Sequence, residues 1–123
     1  MPAISKLFFK TAILFLIAGI GIGLHMSISG VHNVTGAHAH ANLLGWVTMA
    51  IMGTYYALVP AKAGGRLPMI QYGVYLLGLL IMLPSLYMLL LGNPQVEPLV
   101  AAGSLITFAG VFLFAFVIFK SES

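Results

Sequence analysis

Four apolar stretches, residues 7–29, 37–59, 69–91 and 99–119, leave the chain few ways to fold. A membrane hydrocarbon core about 30 Å thick takes roughly 20 apolar residues in a helix, and each stretch meets that length. Lipid cannot hydrogen-bond a peptide group, so a spanning segment must satisfy its own backbone, as a helix does. The connections are short and rich in Gly, Pro and Asn, which forces neighbouring helices to run antiparallel in one bundle. The predicted fold is all-α: a four-transmembrane-helix bundle forming one domain over residues 1–123. Composition agrees, because 61% hydrophobic and 6% charged residues leave too little polar surface to cover a water-soluble globule. The first partner implied is the lipid bilayer.

The cations set the orientation. Lys6 and Lys10 precede or open the first stretch, Lys62 and Arg66 lie in the second connection, and Lys120 follows the last stretch. Lys and Arg near span ends are retained in the cytoplasm, so both termini are predicted cytoplasmic. The localisation expected is a bacterial-type inner membrane, crossed several times. The first apolar run lacks a small-x-small cleavage site and reads as a retained span rather than a signal peptide. A net charge of +3 follows from this topology and gives no basic surface for nucleic acid.

Small residues show where helices approach closely, since lipid supplies no hydrophobic drive between them. Gly19 and Gly23 form a Gly-x-x-x-Gly pair, and Ala102, Gly103, Ala109 and Gly110 offer a second such surface. Together with a bundle too small to enclose a large cofactor alone, the first pair predicts a homo-oligomer, a dimer or trimer. Pro84 is expected to kink the third span and free a carbonyl. Tyr55, Tyr56, Tyr72 and Tyr75 fall near one interface, where an aromatic belt is expected.

The chain has no cysteine, which excludes disulfides, iron–sulfur clusters, thiolate metal sites and covalent c-type haem attachment. Any bound metal must use His, Met or oxygen donors. The four histidines, His25, His32, His38 and His40, lie between the end of the first stretch and the start of the second, and so share one non-cytoplasmic rim. Ionisable side chains at membrane depth are costly, and four together point to function. At 100° per residue His38 aligns with Asn42, Gly45, Thr48 or Met49, and Met52, a polar and small stripe. His40 lies about 200° away, in line with Leu44, Val47 and Ile51. The two rings therefore serve different faces, or different subunits.

The segment Gly36-Ala37-His38-Ala39-His40-Ala41-Asn42-Leu43-Leu44-Gly45-Trp46 resembles the start of the second transmembrane helix in the catalytic subunit of haem-copper oxidases and nitric-oxide reductases. In that family a His followed by x-Asn-Leu near the outer end of this helix is an axial ligand of low-spin haem. Matching His-x-Asn-Leu selects His40, with Asn42 and Leu43 following. The resemblance covers about the first half of the chain. The second low-spin ligand and the haem-copper centre of the family lie on later helices, and this chain has no histidine after His40, so reduction of oxygen or nitric oxide is not implied. What is implied is a small haem b protein for electron transfer or redox sensing, with a redox partner. His25 or His38 is the candidate second ligand, and Trp46 a candidate neighbour of the porphyrin.

A non-haem copper or zinc site is the competing expectation, because three His, or two His with Met26, meet the ligand needs of either metal. Its donors would come from His40, His38, His25 and His32. A structural accessory subunit is the third. The sequence carries no nucleophile motif, paired carboxylates or phosphate loop, and Glu97 and Glu122 fall on opposite sides of the membrane, so no enzymatic reaction is assigned.

Overall fold

The computed structural model describes residues 1–121, and among these there are helices and no strands. The order is α1 (Ala3–Ser29), α2 (Thr35–His40), a π-helix (Ala41–Thr48), α3 (Met49–Leu58), α4 (Leu67–Leu90) and α5 (Glu97–Phe119), with 3-10 turns at Pro60–Lys62 and Pro94–Val96. Three helices, Ala3–Ser29, Leu67–Leu90 and Pro94–Phe119, are long and apolar enough to cross a membrane. Their outward faces carry Leu14, Ile17, Leu105, Phe112 and Phe119, all well exposed, as suits a membrane protein whose solvent is lipid. Glu122 lies outside the described residues.

The second stretch differs from expectation. Residues 35–58 form one unbroken helical run, but its middle, Ala41–Thr48, follows the wider i→i+5 pattern. Such a turn inserts a residue and loosens the carbonyl ladder. Here two hydroxyls engage the carbonyls concerned: Thr48 Oγ1 donates to Leu43 O at 2.8 Å, and Tyr75 OH donates from α4 to Leu44 O at 2.7 Å. Gly45 lets the run lie against Phe15 of α1, whose Cβ is 2.6 Å from where a Gly45 Cβ would stand.

Helices α4 and α5 pair by backbone approach, as the small residues of the last stretch predict. A Cβ on Gly103 would meet Met82 N at 2.5 Å, one on Gly110 would meet Tyr75 Cα at 2.7 Å, and one on Gly78 would strike the Thr107 backbone. Gly19 and Gly23 are used differently from expectation. They receive Asn42 and His38 of the same chain, so this groove is closed to a second copy.

The tyrosines also depart from a lipid-facing belt. Tyr56, Tyr72 and Tyr75 are buried, forming the main core with Phe8, Met49, Met52 and Leu79. Their hydroxyls find partners inside: Tyr56 with Gln71 Oε1 at 3.1 Å, Tyr72 with Thr11 Oγ1 at 2.5 Å, and Tyr75 with Leu44 O. Gln71 completes the set by donating to Gly110 O at 3.2 Å, tying α3, α4 and α5 together. A buried amide or phenol without such partners would cost a few kcal/mol, so the network confines these helices to one register.

All five cations lie at one end of the bundle. Lys62 is buried there and donates to Ile118 O at 2.6 Å, neutralising an unpaired carbonyl and the negative end of the α5 dipole. Pro84 sits inside α4 and cannot donate to Leu80 O, while Ser85 Oγ binds Ile81 O at 2.6 Å and Met82 O at 3.0 Å.

Candidate functional site

The end opposite the cations holds the histidines. α1 stops at Ser29 because Gly30 takes a left-handed conformation, φ 73°, which closes the helix through its N–H to Met26 O. The chain turns through His32 and re-enters as α2, where Val34, Ala37 and Met26 make a small buried cluster.

His38 faces α1. Its Nδ1 lies 2.6 Å from Gly19 O, and because a carbonyl only accepts, Nδ1 carries the proton. The ring lies across Gly23, with Cε1 2.8 Å and Nε2 3.5 Å from the place of a Gly23 Cβ. Asn42, one turn on, fits against Gly19. Its Nδ2 is 3.5 Å from the already protonated His38 Nδ1, and its Oδ1 is buried without a hydrogen-bond partner among the described residues. Both side chains thus fill the groove that two glycines open in α1.

His40 faces away. It is exposed, and its Nδ1 donates to Gly36 O, one turn back, at 2.7 Å. The backbone therefore fixes the tautomer, leaving the Nε2 lone pair as the free donor directed off the helix. This is how a ligating imidazole is oriented in metal and haem sites, where the second nitrogen anchors to a carbonyl or carboxylate.

His25 is exposed on α1, two residues and about 200° from the packed Gly23. His32 is exposed in the turn. His38 is thus turned to α1 while His40 and His25 lie at exposed positions of different helices. Among the described residues no three His, Cys, Asp or Glu side chains converge as a donor group for a metal ion. Trp46 packs against the main core cluster, some six residues beyond His40.

Grooves in the bundle surface are lined by other residues. One, about 260 Å³, runs beside Phe15, Ala18, Ile22, Leu80, Leu83 and Pro84; another, about 360 Å³, lies beside Thr11, Leu14, Phe15 and Leu80. Neither is lined by a histidine, although the first also touches Ala37 and Ala41 on the helical run that carries His38 and His40.

Several interacting residues were not singled out by sequence: the carbonyls of Gly19 and Gly36, Tyr75 as the partner of the π segment, and Gln71. For Gln71 the signal was present, since an amide within an apolar span requires an internal partner. No family model, curated protein or solved structure matches the chain.

Proposed function

We propose that the chain is a four-span membrane protein that binds haem b through His40 Nε2 and uses it for one-electron transfer or redox sensing. The observation that carries this reading is the 2.7 Å bond from His40 Nδ1 to Gly36 O on an exposed helix face, which presents Nε2 outward. His38 shares the tautomer, but its Nε2 lies against Gly23, where a porphyrin has no room. His40 is also the residue that the resemblance to haem-copper oxidases and nitric-oxide reductases selects.

The residues fit the group in donor chemistry, since neutral imidazole is a standard axial ligand and the His40 tautomer leaves Nε2 unprotonated. When bound, haem supplies the one-electron couple. The chain's own part is to hold one nitrogen at fixed tautomer and depth. The competing copper or zinc reading needs donors that converge, and among the described residues no three His, Cys, Asp or Glu do so. Metal analysis of detergent-purified protein, made with ample iron and haem precursor, separates the readings. Iron with extractable protoporphyrin is expected, whereas copper or zinc without porphyrin would refute the haem reading.

In this reading residues 35–58 cross the membrane as the second span, π segment included. At about 1.5 Å per residue the run reaches roughly 35 Å. The cation-bearing end lies in the cytoplasm of a bacterial-type inner membrane, and the histidines lie at the other face. A reporter fused after Ser123 should read as cytoplasmic and one inserted at Asn93 as external. Finding Asn93 inside would reverse the orientation.

A further inference from the structure

Threonines inside these helices bond in a regular way, and Thr48 departs from it. Thr11, Thr54 and Thr107 each donate to the carbonyl four residues back, at Leu7, Ala50 and Gly103, as threonine does in an α-helix. Thr48 donates instead to Leu43 O, five residues back. In an α register its hydroxyl and its N–H would both reach Leu44 O, the carbonyl four residues back. That carbonyl is already engaged by Tyr75, which donates to it from α4 at 2.7 Å.

Tyr75 is held where it stands. Its ring is buried in the main core, and its backbone lies against Gly110 of α5, with Cα 2.7 Å from the place of a Gly110 Cβ. The run beyond the π segment is also held, since a Gly53 Cβ would stand 3.0 Å from Phe8 Cβ. The residues before the segment therefore carry the consequence of its register. An i→i+5 turn takes in an extra residue, which turns those residues by about 100° relative to an unbroken α-helix.

We infer that the Tyr75 hydroxyl is a positioning group for the histidine rim. By occupying Leu44 O it keeps Ala41–Thr48 in the π register, and that register sets His38 and Asn42 against Gly23 and Gly19. Without the bond, Leu44 O is open to Thr48 N–H and the segment tightens to α. Each place before it then passes to the next residue. Ala39 takes the place of His38 beside Gly23, Leu43 takes that of Asn42 at Gly19, and His40 moves about 100° round the rim. The bond from His38 Nδ1 to Gly19 O is lost. The rearrangement involves one chain and no ligand, so it is independent of the haem reading.

Nuclear Overhauser contacts in the full-length protein, in detergent micelles, test the register. His38 Cε1 lies 2.8 Å from the place of a Gly23 Cβ, so the wild type should show a contact between the ring Hε1 and Gly23 Hα. Tyr75→Phe should lose it and gain one from the Ala39 methyl. Tyr72→Phe, which removes a hydroxyl bonded to Thr11 rather than to the run, should keep it. Deleting Leu43, a residue 60% exposed, takes out the extra residue, and combined with Tyr75→Phe it should restore the His38 contact. Retention of the contact in Tyr75→Phe, its loss in Tyr72→Phe as well, or no restoration by the deletion would overturn the inference. The double variant decides even where Tyr75→Phe alone does not fold, since it should then fold and show the contact.

Discussion

Replacing Gly103 or Gly78 with valine should separate α4 from α5 and destabilise the protein by about 3 kcal/mol each, the upper part of the range for overpacking. The reason is what the new side chain meets. A Gly103 Cβ would lie 2.5 Å from Met82 N, and a Gly78 Cβ would strike the Thr107 backbone, so no rotamer change relieves the overlap. The helices must move apart, and in lipid no gain in apolar burial compensates for lost packing. Separation would also strain the Gln71 bond to Gly110 O, which spans the same pair. Gly73, also in α4, has nothing within 4 Å of its missing Cβ, and Gly73→Val should be close to neutral. Unfolding in rising SDS, followed by the fluorescence of the one tryptophan, Trp46, measures all three. Equal midpoints for Gly73→Val and Gly103→Val would contradict this account of the α4–α5 contact.

Replacing His40 with alanine should remove haem from the purified protein, or leave it high-spin, while the helices still insert. The substitution deletes an exposed imidazole whose tautomer is fixed by the bond from Nδ1 to Gly36 O, and helix insertion depends on lipid and backbone bonding instead. His38→Ala should behave in the opposite way. It leaves Gly19 O and the groove over Gly23 unfilled, costing about 1–3 kcal/mol of stability, yet the Soret band of the protein that folds should keep its position. His25→Ala and His32→Ala, both at exposed positions, should change neither stability nor spectrum appreciably. Absorption spectra and thermal midpoints of the four variants in one detergent separate the roles. Comparable loss of a non-porphyrin metal in three of them would instead be the signature of a shared copper or zinc site.

Much of the frame was legible because its causes are local. Apolar run length located the helices to within a few residues, and Gly30 with the Pro- and Gly-rich connections marked where they stop. The segregation of Lys and Arg to one end, and of histidine to the other, is likewise written in spacing. Gly103 and Gly110 correctly signalled close approach.

What was not legible depends on which partner arrives. Gly19 and Gly23 show that something packs tightly on α1, but only the fold reveals that it is the chain's own His38 and Asn42 rather than a second molecule. Tyr56, Tyr72 and Tyr75 stand near a span end, as belt residues do. Their direction is set by helix rotation, which nearly uniform apolar spans do not encode. The π segment is tertiary in origin as well, shaped by Phe15 against Gly45 and by Tyr75 reaching Leu44 O from another helix.

The central claim is that His40 Nε2 ligates a haem, and the most direct measurement is a dithionite-reduced minus oxidised absorption spectrum of the wild-type protein beside His40→Ala. The account predicts a low-spin b-type spectrum, with a Soret band and sharp reduced α band, that is lost or becomes high-spin on the substitution. A wild-type protein without Soret absorption when haem precursor is plentiful, or a low-spin spectrum unchanged in His40→Ala, would contradict it.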